Sequence, residues 1–126
     1  MEIKLLSGAL GAEIKGLDLK DTSNENFKNS KSVLQKLYEY KKIVIDENEK
    51  MNLIGRSTID DFDQRHLIDC IILLKYLPHN EKNHMDIGSG AGLPGVVLSI
   101  IGYKNLHLVE KSPKKSIFLE NCKSRL

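Results

Sequence analysis

The stretch that decides the fold is residues 85–95, Met-Asp-Ile-Gly-Ser-Gly-Ala-Gly-Leu-Pro-Gly. Its apolar start predicts a short strand over 85–87, and the glycines that follow predict a sharp loop. Pro94 suits the first turn of a helix, where its missing N–H costs nothing, and Gly102 is expected to end that helix. The stretch therefore predicts a strand, a glycine loop and a helix in succession.

The residues downstream repeat this order. Residues 106–110, Leu-His-Leu-Val-Glu, predict a second strand, and Ser112 with Pro113 predicts the cap and first position of a second helix. The order strand–helix–strand–helix favours parallel strands joined by a right-handed crossover. The expected core-facing residues of the last helix are Ile117, Phe118, Cys122 and Leu126.

A glycine loop between a strand and a helix is a site for a nucleotide cofactor, because glycines let the backbone approach a ligand closely. Glu110 lies 20 residues after Gly90, the spacing at which an acidic side chain reaches ribose hydroxyls. Residues 90–95 formally match the dinucleotide fingerprint GxGxxG. However, the charge of Asp86 before the first glycine would repel a pyrophosphate and suits the ammonium group of S-adenosylmethionine. The loop favours a methyltransferase over a dehydrogenase, and a loop without a ligand is the remaining alternative.

The residues before the glycine loop predict two helices. Apolar spacings of three and four favour a helix over 31–45, although residues 43–45, Ile-Val-Ile, would also suit a strand. Thr58 is predicted to cap a second helix that runs to about Leu77 and stops at Pro78. The expected apolar stripe of this helix is Phe62, Leu67, Cys70, Leu73, Leu74 and Leu77.

The beginning of the chain has a different character. Alternation among several glycines predicts two short strands within residues 1–20, at 13–15 and 17–19. Residues 21–30 are polar and are expected to form a linker or a loose first turn.

Length and composition limit the class of protein. The 126 residues suffice for one domain and are too few for a large multidomain enzyme. The net charge of +2 does not by itself indicate a nucleic-acid binder, but residues 85–126 carry six basic and three acidic side chains, which favours an anionic partner.

Two cysteines are too few for a disulfide framework, so we expect buried thiols and a cytoplasmic location. No apolar run reaches the roughly 20 residues of a membrane span, and no signal region opens the chain.

Residues of about 36–126 resemble one family through four motifs in order. The motifs are Met51-Asn52-Leu53-Ile54, Arg65-His66-Leu67-Ile68-Asp69, the loop 86–95, and Glu110-Lys111-Ser112 with Lys115, Phe118 and Leu119. The family that these motifs resemble is the bacterial small-subunit ribosomal RNA guanine-N7 methyltransferases, also called glucose-inhibited division protein B.

The resemblance implies a fold and a cofactor. The fold would be α/β, a truncated Rossmann-like S-adenosylmethionine-dependent methyltransferase fold with an N-terminal helical cap and a short β-rich N-terminal segment. Its parts would be the β-rich segment at 1–32, the cap at 33–80 and the first half of the cofactor-binding domain at 81–126. The residues implied to bind S-adenosylmethionine are Asp86, Gly88, Ser89, Gly90, Gly92, Leu93 and Glu110.

The resemblance also implies a substrate, small-subunit ribosomal RNA, methylated at guanine N7. Because N7 has a free lone pair and no proton to remove, positioning supplies the rate, and we assign neither a catalytic base nor a metal. His66 has a structural alternative, pairing with Asp69 or the backbone, and Arg65 has another, pairing with Asp61 or Asp69. The residues implied to lie near the RNA are Asn52, Arg65, His66, Asp69 and Lys111.

The chain departs from this family in its length. It stops after the second strand–helix unit, where family members continue, so we expect weak cofactor affinity and no activity from this chain alone. A non-catalytic α/β module with a vestigial loop, associating through an open sheet edge, is the alternative function.

The chain departs from the family a second time at its start. Residues 1 to about 32 resemble the opening strands of taurine-type iron(II)/2-oxoglutarate dioxygenases through the stretch 6–19, LSGALGAEIKGLDL. Such enzymes need a His-x-Asp or His-x-Glu pair and a distant His, and the four histidines have no such spacing. The second resemblance therefore implies a segment and not an activity, and the two resemblances together imply a composite chain joined near residues 30–40. A dioxygenase fragment is a further alternative.

Overall fold

The computed structural model describes residues 2–6, 11–15, 25–77 and 82–126. The chain divides into two compact units, Met1–Gln35 and Lys36–Leu126. The division falls within the first helix of the chain.

The first unit contains an antiparallel hairpin of strands β1 (Glu2–Leu6) and β2 (Gly11–Lys15). The strand predicted at 13–15 lies within β2, whereas nothing in the alternation indicated β1. The strand predicted at 17–19 lies outside the described residues.

Helix α1 (Glu25–Asn48) is longer than predicted. It begins inside the polar stretch 21–30, so the predicted linker is wrong for residues 25–30. This stretch has no proline or glycine, and polar residues alone do not break a helix. The strand alternative for 43–45 is wrong as well, because these residues continue the helix.

The buried residues of α1 explain why its last turns are helical. Leu37, Tyr40 and Val44 are buried, and they recur at spacings of three and four residues, which place them on one helical face. Ile43 is buried beside them. The branched residues near the end of α1 therefore reach the core from a helix.

The core of the second unit comes from four helical segments and the glycine loop. Both cysteines are buried free thiols, as predicted, and burial raises the pKa of Cys70 to about 12 and that of Cys122 to about 11. Such thiols stay protonated and unreactive. The buried apolar residues are Leu37, Tyr40, Ile43, Val44, Phe62, Leu67, Cys70, Ala91, Val96, Val97, Leu98, Phe118, Leu119 and Cys122.

The chain between α1 and the sheet is helical but irregular. Thr58 is not a helix cap: it ends a short turn, and its hydroxyl donates to the carbonyl of Gly55 at 2.8 Å. The successive elements are a 3-10 turn (Arg56–Thr58), a π-helical stretch (Asp63–Ile68), helix α2 (Asp69–Ile72) and a second 3-10 turn (Leu73–Lys75).

The apolar stripe predicted for this region is correct only in its first half. Phe62, Leu67 and Cys70 are buried, but Leu73 is 38% exposed. A stripe drawn at 3.6 residues per turn fails because π-helical and 3-10 turns rotate successive side chains by other angles.

The last third of the chain follows the predicted order. Strands β3 and β4 pair in parallel, with His84 opposite Leu106, as the strand–helix–strand–helix pattern predicted. Gly102 ends the helix between them at a φ of 126°, and Pro94 caps that helix one position before its predicted place. The elements are β3 (His84–Ile87), α3 (Gly95–Ile101), β4 (Leu106–Val109) and α4 (Pro113–Arg125).

The two faces of the β3–β4 sheet have different surroundings. On one face, the close approach of Gly95 to Leu108 shows that α3 packs against the sheet. On the other, Met85, Ile87 and Val109 are exposed by 63%, 77% and 44%. The sheet is thus covered on one face only among the residues that the structure describes.

Helix α4 starts as predicted, but one of its apolar residues that was expected to face the core is exposed. Ser112 occupies its cap and Pro113 its first position. Phe118 and Cys122 are buried, whereas Ile117, predicted to face the core, is 63% exposed and lines an open groove beside β4. Within the described part of the chain, no helix has both the length and the apolarity needed to cross a bilayer.

A matched pair of leucine substitutions tests the packing of the irregular helical segment. Leu67 is fully buried and Leu73 is partly exposed. We expect Leu67→Ala to lower the free energy of unfolding by about 2–5 kcal/mol, the usual cost of a buried Leu→Ala cavity. Leu73→Ala should cost less than half as much, as measured by urea denaturation. Equal losses would contradict the burial described here.

Candidate functional site

The glycine loop is attached to the carboxyl end of the sheet by backbone hydrogen bonds. The N–H groups of Gly88 and Ser89 both donate to the carbonyl of Val109, at 2.7 and 3.1 Å. Inside the loop, the N–H of Gly92 donates to the Ser89 carbonyl at 2.7 Å. The loop that follows β3 therefore lies against the end of β4.

Two of the loop glycines serve different purposes. Gly88 and Gly92 have φ values of 81° and 88°, where other residues are strained. A Cβ added to Gly92 would collide with the side chain of Val96, so this glycine permits close packing of the loop on α3. A Cβ on Gly88 would meet nothing within 4 Å, so this glycine borders open space. Gly88 is the position where a ligand can approach the loop backbone.

Asp86 connects the last strand residues before the loop to the helix after it. Its Oδ2 accepts a hydrogen bond from the Gly95 N–H at 3.1 Å, at the start of α3. The Ser89 hydroxyl donates to the Asp86 carbonyl at 2.9 Å, and the Ser89 side chain is buried. Both residues thus shape the loop, and the predicted contact of Asp86 with a cofactor ammonium group stays a prediction.

Glu110 holds the loop from the end of β4. One carboxylate oxygen accepts the Gly90 N–H at 2.8 Å, and the other accepts the Ser112 N–H at 2.8 Å. These bonds, led by that from Ser112, hold the pKa of Glu110 below its ordinary value. An ionised carboxylate has about four lone-pair sites, so two such bonds leave capacity for ribose hydroxyls.

Tyr40 is a loop contact that sequence reasoning missed. Its hydroxyl donates to the Ala91 carbonyl at 2.7 Å, and its side chain is completely buried. Burial, with contributions from Cys122 and Cys70, raises the pKa of Tyr40 well above its ordinary value, so the hydroxyl keeps its proton. The sequence offered one signal for this contact: Tyr40 lies on the apolar face of α1, and the hydroxyl of a buried tyrosine usually has a polar partner.

Asn48 is a second missed residue, at the end of α1. Its side-chain oxygen accepts the N–H groups of Leu53 and Ile54, at 2.8 and 3.0 Å, and the residue is buried. These two bonds determine the turn that carries Asn52, the first residue predicted to lie near RNA. The side chain of Asn52 itself is exposed.

His66 is placed differently from the predicted pairing. Its Nε2 lies 2.8 Å from the Thr58 hydroxyl oxygen, and its ring packs edge-on against Phe62 with 5.1 Å between ring centroids. Burial lowers the pKa of His66; the Asp69 carboxylate opposes this shift and the Arg65 guanidinium adds to it. The hydrogen-bond partner of the His66 side chain is therefore Thr58, whereas Asp69 acts on His66 through its charge.

The other residues predicted to lie near RNA are on the surface. Arg65 and Asp69 are exposed on the same helical segment as His66, and Lys111 is exposed directly after Glu110. No ion pair of Arg65 with Asp61 or Asp69 is present among the described side chains. In residues 2–6, 11–15, 25–77 and 82–126, no cluster of three or more His, Cys, Asp and Glu side chains could hold a metal ion.

The structure brings the predicted cofactor residues together at one end of the parallel sheet. A strand, a glycine loop and a helix are followed by a second strand that ends at an acidic residue, the arrangement of α/β proteins that bind nucleotide cofactors. Comparison with known proteins identifies one family within this class of α/β proteins. The family described as rRNA small subunit methyltransferase G, or GidB, matches residues 33–126. The chain belongs to this family, which confirms the resemblance predicted for about 36–126.

Curated relatives agree with the family match. A ribosomal RNA small subunit methyltransferase G of Rickettsia akari (strain Hartford) is 43% identical over 93 residues, 74% of this chain and 49% of the relative. The protein of the same description from Orientia tsutsugamushi (strain Boryong) is 41% identical over 99 residues, 79% of this chain and 50% of the relative. The chain spans about half the length of the curated relatives it matches.

Two glycine substitutions separate backbone strain from packing in the loop. Gly88→Ala should lower the free energy of unfolding by about 1–2 kcal/mol, the cost of a left-handed conformation alone. Gly92→Ala should cost about 1–3 kcal/mol more, because its methyl group also collides with Val96. Urea denaturation of both variants measures the difference. Equal costs would show that the loop can move away from α3.

The lowered pKa of His66 predicts a pH dependence of stability. The unfolded chain takes up the His66 proton near its ordinary pKa of about 6.5, and the folded protein does so only at lower pH. Between these values the unfolded state binds more protons, so stability falls as the pH falls below about 6.5. His66→Gln should therefore lose less stability than the wild type between about pH 7.5 and 5.5.

Urea denaturation across this pH range measures the predicted difference. From about pH 7.5 to 8.5 His66 does not titrate in either state, so the two proteins should there change in parallel. Parallel curves at acidic pH as well would contradict the prediction.

Proposed function

We propose that this chain carries the cofactor-binding part of an S-adenosylmethionine-dependent ribosomal RNA methyltransferase. The observation that carries the proposal is the glycine loop, open at Gly88 and held by the Glu110 carboxylate, in a chain of this family. The proposed fold is a truncated Rossmann-like one. Its proposed parts are the β-rich segment 1–32, the helical cap 33–80 and the cofactor-binding segment 81–126.

The loop residues fit S-adenosylmethionine. Open space beside Gly88 gives a ligand access to the loop backbone, and Leu93 is half-buried at its far end. Glu110 is half-buried and ionised at neutral pH, which suits an acceptor for ribose hydroxyls. Asp86 supplies the negative charge for the ammonium end. Ser89, Gly90 and Gly92 give the loop its shape.

The chemistry required of these residues is binding and orientation. S-adenosylmethionine supplies a methyl group on a positively charged sulfur, which the lone pair of guanine N7 can accept directly. Because N7 carries no proton, no side chain has to act as a base, and correct placement of the two reactants provides the rate. We accordingly assign no catalytic residue.

The proposed RNA contacts lie on the helical segment and at the start of α4. Arg65 and Lys111 are exposed cations suited to phosphate groups. Asn52, His66 and Asp69 complete the proposed set, with His66 oriented by Thr58. The relatives are described as acting on small-subunit ribosomal RNA, so we propose this RNA as the partner and the cytoplasm as the location.

Calorimetric titration with S-adenosylhomocysteine tests the cofactor site. We expect weak binding, because the chain spans about half of its relatives. Glu110→Gln should weaken it about tenfold or more, since hydrogen bonds to a charged group contribute about 1.5–3 kcal/mol. Glu120→Gln is the matched control: it removes an exposed carboxylate on α4 and should keep the wild-type affinity.

Two results would contradict the proposed cofactor site. One is the absence of heat from the wild-type chain at high ligand concentration. The other is binding that Glu110→Gln leaves unchanged, which would place the ligand elsewhere. The alternatives of a non-catalytic module and of a dioxygenase fragment stay predictions.

A further inference from the structure

We infer that Tyr40 is a positioning residue for the cofactor loop, acting through its hydrogen bond to the Ala91 carbonyl. The inference rests on the proposed function, since it gives α1, which precedes the strand, loop and helix of the cofactor site in the chain, a part in the same site. Tyr40 belongs to none of the motifs that carried the family resemblance.

The first support is the position of Ala91 within the loop. Ala91 lies between Gly90 and Gly92, which both have positive φ values, 57° and 88°. Glycines have little conformational preference of their own, so such a loop depends on its contacts, including those from outside, to keep one shape. Side chains provide two such contacts at neighbouring residues: Glu110 accepts the Gly90 N–H, and Tyr40 donates to the Ala91 carbonyl.

The second support is the burial of this hydrogen bond. Tyr40 is completely buried and Ala91 is 5% exposed, so water cannot readily replace the hydroxyl. A buried carbonyl without a partner is unfavourable, and the peptide would reorient to find one. The same peptide carries the Gly92 N–H, so its reorientation would disturb the hydrogen bond from that N–H to the Ser89 carbonyl, 2.7 Å long.

The third support is that the Tyr40 ring is held independently of its hydroxyl. The ring packs edge-on against Phe62, with 6.5 Å between centroids, within the core. A phenylalanine at this position would keep that packing. Tyr40→Phe therefore removes the loop contact while leaving the ring in place.

Tyr38 offers a matched control on the same helix. It lies two residues before Tyr40 in α1 and is 64% exposed. Tyr38→Phe makes the same chemical change at an exposed position.

The experiment combines hydrogen exchange of the free protein with titration by S-adenosylhomocysteine. In Tyr40→Phe, we expect amide exchange at Gly90 and Gly92 to accelerate about fivefold or more, with the amides of α4 unchanged. We expect the dissociation constant for S-adenosylhomocysteine to rise about five- to tenfold. Tyr38→Phe should match the wild type in both measurements.

A merely structural role for Tyr40 would give a different pattern. Exchange would then accelerate across α4 and the loop together, and the folded variant would bind S-adenosylhomocysteine as tightly as the wild type. That result, or unchanged exchange at Gly90 and Gly92, overturns the inference. If the wild type binds no S-adenosylhomocysteine, the proposed function fails, and loop exchange alone still decides whether Tyr40 positions the loop.

Discussion

Parallel pairing of β3 with β4 is the constraint on which the site depends. Parallel strands end at the same edge of a sheet, so the loop after β3 and the acidic residue after β4 must meet there. Hydrogen bonds join the two there: the N–H groups of Gly88 and Ser89 donate to the Val109 carbonyl, and the Gly90 N–H donates to the Glu110 carboxylate. With antiparallel pairing, the loop and Glu110 would lie at opposite ends.

The same pairing also makes Glu110 serve two elements at once. Its carboxylate joins the loop to the start of α4 through the N–H groups of Gly90 and Ser112. A residue that the sequence indicated only as a ribose contact is therefore also part of the scaffold. The hydrogen bonds from the Ser112 and Gly90 N–H groups, which fix the loop, also lower the pKa of Glu110 and favour its ionised form.

Local signals predicted the C-terminal third well, because its structure is encoded by neighbours in the chain. Glycines with positive φ, a proline at the start of α4 and a glycine at the end of α3 act within a few residues. The helical region was harder to predict. Leu73 is exposed because the helix type changes along the segment, and no periodic pattern anticipates such a change.

The contacts that sequence reasoning missed have other causes. Asn48 is a polar residue at a helix end, which is common and carries no signal of the turn it supports. Tyr40 meets Ala91 across 51 residues of chain, a distance over which a single sequence contains no information about pairing. The contact between His66 and Thr58 was not predicted either, because an irregular turn brings the two side chains together.

The separation of Tyr40 from Ala91 has a consequence for the order of folding. A contact between residues 51 positions apart closes a long loop of chain, and its entropic cost must be met before the contact can contribute. Because α1 is synthesised well before the glycine loop, the Tyr40 hydroxyl cannot bind the Ala91 carbonyl until residue 91 has been made. The loop can reach its final shape only after the sheet, α3 and α1 have assembled around it.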